Sequence, residues 1–180
     1  MVELDVGCGK NKRSGSIGLD MNPGLEGYVD IFHEIKSLNP LPFGDDSFEK
    51  VHMNDIVEHI HDIPWLLSEV HRVAKARAIV CIQYPHYSGK YAYGDVTHCH
   101  YLGLRAFDHF IPGTELGDKY QYYTLFGRNF PFELEKIEPK FLLGISDIVY
   151  KIVGIDMYES LFCRVLPISN VNLELRVLKT

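Results

Sequence analysis

Two groups of residues in this chain have types and spacings that could do chemistry. The first is LDVGCGKNKRSGSIGLD, Leu4 to Asp20, where Gly7 and Gly9 follow an apolar run and an acid ends the next one. A turn directly after a strand uses glycine where φ is positive or where a ligand approaches the backbone. A carboxylate at the tip of the following strand can accept both hydroxyls of a ribose. The second group is YPHYSGKYAYGDVTHCHY, Tyr84 to Tyr101, which sets His86, Asp95, His98 and His100 among tyrosines. Histidine changes charge near neutral pH, so His98 or His86 suits a general base. Two other readings of this loop stay open. It forms a hydrogen-bonded polar lid with no proton-transfer role, or His98 and His100 with Asp95, joined by His86 or Cys99, bind a divalent ion. The sequence alone assigns no metal.

The spacing of the first group speaks against a dinucleotide, and so against an NAD-dependent oxidoreductase. The pattern for NAD places a third glycine where Lys12 stands, and an acid about 20 residues on. Asp20 comes too soon for a full helix to fit between Gly9 and Ile17, so the first helix is a single turn or absent. That leaves backbone amides but little helix dipole for a pyrophosphate.

The elements that position these groups can be read from periodicity. Val2 to Val6, Ile17 to Leu19, Tyr28 to Phe32 and Phe48 to Met53 read as strands, with the turn-rich NPLPFGDDSF before the last. Ile63, Leu66, Leu67, Val70, Val73 and Ala74 recur at helical spacing, which predicts a helix over 63–75. Arg77 to Tyr84 follows with the apolar run Ala78 to Ile82, as expected of a central parallel strand covered on both faces. Phe132 to Leu143 reads as one or two strands, and Val171 to Leu178 as a final strand. Between them Ile145, Ile148, Val149, Ile152 and Val153 mark an amphipathic helix. Strands alternating with helices imply an α/β sheet with right-handed crossovers.

Bulk numbers narrow the function classes. The 180 residues suit one domain spanning 1–180, with 46% apolar and 23% charged residues. A net charge of -6 argues against a nucleic-acid partner. Cys8, Cys81, Cys99 and Cys163 form no CxxC, which fits reduced thiols and a cytoplasmic protein. The greasiest stretch, Phe141 to Tyr158, carries Asp147, Lys151 and Asp156 and is a poor membrane span.

Four motifs in order carry a resemblance. LDVGCG resembles motif I of the class I S-adenosylmethionine-dependent methyltransferases, and IGLD resembles their second motif. LPFGDDSFEKVHMNDIVEHI and EVHRVAKARAIVCIQYP are similar to the LPF-x-D-x-SFD…EH and E-x-x-RVLKPGG…P segments of the type 11 subgroup. DVTHCHY with Phe107 resembles a D-x-TH-x-x-Y/F segment of some members. The resemblance implies a Rossmann-like class I methyltransferase fold: an α/β, mostly parallel sheet with an antiparallel C-terminal strand. Against many relatives, the expected departures are a shortened first helix, from the Gly9 to Ile17 spacing, and no N-terminal cover helices. The resemblance also implies S-adenosyl-L-methionine as cofactor and S-adenosyl-L-homocysteine as product.

By the same resemblance Gly7, Cys8 and Gly9 pass the methionine part of the cofactor, and Asp5 orients its amino group. Asp20, followed by Met21, holds the ribose. Glu34 faces the adenine amino group and Ile35 packs on the ring. Asn54 and His59 lie where the methionyl end and the acceptor meet. The departures are Ala76 and Arg77 in place of the PG of the KPGG turn, and Glu34 in place of a shorter aspartate. Among the other histidines, His59 either touches the ligands or packs its turn. His61 and His71 read as surface residues, and His109 as part of a packed helix.

The expected function is methyl transfer to a small-molecule acceptor. The alternative is a regulatory module that binds the cofactor or its product without catalysis. A homodimer is one way to cover an exposed cofactor edge.

Overall fold

The computed structural model describes residues 2–179. Seven strands build one sheet: β1 Glu3–Val6, β2 Ser16–Asp20, β3 Ile31–Phe32, β4 Phe48–Asn54, β5 Ala74–Pro85, β6 Phe132–Phe141 and β7 Ile168–Val177. Their order across the sheet is β3-β2-β1-β4-β5-β7-β6. The pairs from β3 through β5 are parallel, while β7 runs antiparallel to both β5 and β6. The α-helices that matter for the site are α1 Ile63–Val73, α2 Lys90–Gly94, α3 Glu115–Tyr120 and α4 Gly144–Val153.

Residues 7–15, between β1 and β2, contain only turns, and the β2–β3 link holds a single 3-10 turn, Pro23–Leu25. Lys12, where a dinucleotide loop has glycine, instead pairs with Asp30 at 2.9 Å. The Asp30 carboxylate also accepts from the Gly18 N–H at 2.7 Å, so this acid fastens the loop to β2.

α1 forms as its periodicity predicts. Asp62 caps it by accepting from the Trp65 N–H at 2.9 Å, and Leu66, Leu67, Val70 and Val73 are buried. Burying each such side chain contributes about 1.5–3 kcal/mol. Glu69 on the same helix is 1% exposed and pairs with Arg72 and Arg128, both at 2.6 Å, while accepting from the Leu41 N–H. Burial pushes its carboxyl up, but these hydrogen bonds outweigh burial and hold it below the usual carboxylate range.

The core is one cluster that draws on β1 through β7, α1 and the aromatics Phe107, Phe110, Phe130 and Tyr158. It lies on one face of the sheet, where Val51, Met53, Val80, Ile82, Tyr84, Leu173 and Leu175 point. The opposite face carries Glu3, Asp5, Lys50, His52, Cys81, Gln83, Asn172, Glu174 and Arg176. Most of these are half-buried, and Asp5 and His52 are buried. A shallow cavity of about 230 Å³ opens there between Arg13, His52, Cys81 and Glu174. This corrects the expectation for Ala78 to Ile82. β5 is covered on both faces only in part, because turns stand where a helix would lie against it. Ile79 and Cys81 remain half-exposed.

Two further expectations change. Helix α4 forms, but Ile145, Ile148 and Ile152 are exposed, while Val149, Tyr150 and Val153 pack against the core. His71 is not a surface residue. It is 6% exposed, its Nε2 meets the Leu178 carbonyl at 2.9 Å, and its ring sits edge-on to Phe132. His109 packs as expected, stacked on Tyr122 with ring centroids 4.7 Å apart.

Candidate active site

The glycine turn is held by its own acid. Gly9 N–H and Asn22 N–H both donate to the Asp20 carboxylate, each at 2.9 Å, and Gly7 N–H donates to the Leu19 carbonyl. A carboxylate has about four acceptor sites, so Asp20 keeps capacity for a ribose. Gly7 and Gly9 have φ of +67° and +53°. Asp5 is buried and accepts from the Arg13 N–H at 2.9 Å, which folds residues 7–15 back over β1. Cys8 is buried, and that burial pushes its thiol up to about 11. Met21 is 60% exposed, Glu34 is exposed and ion-paired with Lys36, and Ile35 packs against the core. These residues line an open edge at the carboxyl ends of β1, β2 and β3. Asn54 ends β4 and lines the cavity on the polar face.

A second, larger cavity of about 570 Å³ lies at the carboxyl ends of β4 and β5. Asp55, Glu58, His59, Pro85, Tyr91, Asp95, His98 and Asn170 contribute to its wall. The 3-10 turn Val57–His59 and the segment 97–100 are laced together here. Cys99 N–H and His100 N–H donate to the Glu58 carbonyl at 2.9 and 3.2 Å, and the Cys99 thiol donates to it at 3.2 Å. His59 and His98 meet edge to face, 4.7 Å between centroids. Glu58 is 1% exposed, and burial raises its carboxyl to about 7. Its Oε1 stands 3.9 Å from His98 Nε2.

The structure separates the histidines that the sequence grouped. His98 and His59 face this cavity. His86 is fully buried, with Nδ1 on Ser88 and Nε2 on Glu159, so it bridges β5 to the 158–162 turn and is corrected as a candidate base. His100 Nε2 turns to the Ile60 and His61 carbonyls, away from Asp95. The Asp95/His98/His100 set therefore does not converge. Glu58 lines the cavity without a role assigned from the sequence, as do Asp55 and Asn170. The signal for Glu58 was the EH pair with His59.

Residues 4–82 match the family model described as a methyltransferase domain, type 11. No curated protein matches the chain. Among solved structures, an S-adenosylmethionine-dependent methyltransferase from Archaeoglobus fulgidus is 20% identical, with a TM-score of 0.56 over 97% of this chain and 85% of that one. One from Mesorhizobium loti is 14% identical, with a TM-score of 0.57 over 97% and 89%. The [4+2]-cyclase SpnF is 15% identical, with a TM-score of 0.58 over 99% and 76%. At these identities the likeness is one of fold, and the cyclase shows that the fold hosts more than one chemistry. The match covers the first part of the chain, and over its whole length the fold is one shared with S-adenosylmethionine-dependent methyltransferases. No helix among the described residues is long and apolar enough to cross a membrane.

Proposed function

We propose that this protein is an S-adenosylmethionine-dependent methyltransferase that acts on a small-molecule acceptor bound in the cavity between Glu58, His59, Tyr91 and His98. The observation that carries the reading is that cavity itself. Its volume of about 570 Å³ falls in the range of small-ligand sites, and it opens at the carboxyl ends of β4 and β5. Ligands of open α/β sheets bind at such ends.

In this reading the cofactor lies along the neighbouring edge. The Gly7, Cys8 and Gly9 turn passes its methionyl end, with Asp5 holding the turn in place. Asp20 takes the ribose hydroxyls beside Met21. Ile35 and Glu34 flank the adenine, and Asn54 stands between cofactor and acceptor. Methyl transfer is an in-line displacement in which the C–S bond of the sulfonium breaks as the new bond forms. The protein's main contribution is to hold the acceptor atom in line. His98, the histidine of the expected pair that faces the cavity, is assigned to the acceptor's reacting end. The unpaired thiols Cys8, Cys81, Cys99 and Cys163 support a reducing, cytoplasmic setting.

The test is calorimetric titration with S-adenosylmethionine and S-adenosylhomocysteine, with NAD as control, on the protein and on Asp20→Ala. An acceptor screen that reads S-adenosylhomocysteine release follows. Binding of both sulfur ligands but not NAD, lost in Asp20→Ala, together with turnover on a small acceptor, is the expected result. Binding without turnover on any acceptor would favour the regulatory module. No binding would overturn the reading.

A further inference from the structure

We propose that Glu58, His59 and His98 bind one divalent transition-metal ion of the zinc type, whose open position takes a hydroxyl oxygen of the acceptor. The inference rests on the reading of this cavity as the acceptor site. It goes beyond that reading by naming what holds the acceptor.

Three observations carry it. One ligand atom from each of Glu58, His59 and His98 lies within 4.8 Å of those of the others. Donors around a zinc ion at about 2.1 Å stand roughly 3.4 Å apart, so closure asks for a shift on the order of 1 Å. Glu58 is 1% exposed, and its Oε2 is buried without a hydrogen-bond partner. A buried polar atom left unpaired is costly, and an ion in the cavity would satisfy it.

The third observation is the state of the two imidazoles. His98 Nδ1 stands 2.9 Å from the Ala92 carbonyl, which can only accept, so Nδ1 carries the proton. His98 Nε2 then has a free lone pair on the Glu58 side. Thr97 Oγ1 donates its single proton to Asp95 at 2.6 Å, so it accepts from His59 Nδ1 at 2.9 Å. His59 Nε2 is thereby left with a lone pair as well. Fixing one ring nitrogen on a carbonyl or a carboxylate-linked hydroxyl is how metal-binding histidines are oriented. The lacing of residues 99 and 100 onto the Glu58 carbonyl holds the two segments in register.

Three protein ligands leave a coordination position open to the cavity. An acceptor hydroxyl bound there becomes more acidic and releases its proton to water. Its oxygen then forms the C–O bond as the C–S bond of the cofactor breaks. The bonding pair stays on sulfur, giving a methyl ether and S-adenosylhomocysteine. The substrate class is therefore an alcohol or phenol of small size.

The test uses the full chain, treated with chelator and without cofactor. It is titrated with zinc ion by calorimetry, and with cobalt(II) followed through its visible absorption bands. S-Adenosylhomocysteine binding is measured on every preparation as a check of the fold and the neighbouring site. The expected result is one ion per chain, with Glu58→Gln and His98→Asn each weakening it at least about tenfold. Thr97→Val, which frees the His59 ring, should weaken it by about tenfold or more, whereas His100→Asn leaves it unchanged. A protein that binds S-adenosylhomocysteine but takes up no stoichiometric ion overturns the metal site alone. Ion uptake indifferent to Glu58→Gln and His98→Asn overturns it too. Ion binding without S-adenosylhomocysteine binding upholds the metal site and counts against the cofactor reading instead.

Discussion

The two glycines of the first turn should fail differently when each is changed to alanine. Both have positive φ, so either alanine pays a left-handed strain of about 1–2 kcal/mol. At Gly9 a Cβ meets nothing within 4 Å, and that strain is the whole cost. At Gly7 a Cβ falls 2.5 Å from Ile56 Cγ1, 2.7 Å from Cδ1 and 2.9 Å from Cβ. The last contact is to an atom that no rotamer change can move, so an overpacking cost of about 1–3 kcal/mol adds to the strain. Gly7→Ala is therefore expected to destabilise by about 2–5 kcal/mol and Gly9→Ala by about 1–2 kcal/mol. Urea unfolding gives both values, with m unchanged if only the native state is affected. Ile56→Ala should rescue part of the Gly7→Ala loss, with a coupling of about 1 kcal/mol or more in a double-mutant cycle. Binding should run the other way. The open space at Gly9 is where the proposed cofactor lies, so Gly9→Ala should lose more S-adenosylhomocysteine affinity than its small stability loss accounts for. Equal destabilisation by the two alanines, or no coupling to Ile56, would refute the reasoning.

Two more outcomes follow from the packing. Glu69→Ala leaves Arg72 and Arg128 without their buried partner, and should cost about 3–5 kcal/mol in urea unfolding. A loss below about 1 kcal/mol would mean the pair is dispensable. Burial holds His71 below the usual histidine range, so the folded protein resists its protonation. Its contribution is full above a pH of about 6.5 and is lost as pH falls below that value. The thermal midpoint should drop on that acid side, and His71→Gln should make the drop shallower. An unchanged slope in that variant would assign the acid sensitivity to other groups, such as the buried His52.

What the sequence made legible was local. The turn after β1 and the acid after β2 are neighbours in chain and in space, and α1 declares itself through its spacing. The seven strands fall where the apolar runs lie, within a few residues at each end. The misreadings came from contacts between distant segments. Ala78 to Ile82 reads as doubly buried because Ile79 and Cys81 are apolar, and nothing local records which neighbour is missing. His71 looks polar and external until the end of β7 brings the Leu178 carbonyl to it. His86, His98 and His100 share one loop and one residue type. They part only because Glu159 seals the first, Glu58 and His59 meet the second, and the Ile60 carbonyl takes the third.

The wet face of the sheet has a thermal consequence. The chain exposes 9392 Å² of surface, whereas a folded monomer of its 20.6 kDa mass is expected to expose about 8,900 Å². A face without helices packed on it buries fewer apolar side chains, so unfolding uncovers less new apolar area than in a sheet sandwiched between helices. The heat-capacity increment should fall below the usual ~12–15 cal/mol/K per residue. A smaller increment flattens the curve of free energy against temperature. This fold would then trade a high stability maximum for a broad one, changing little between cold and warm conditions.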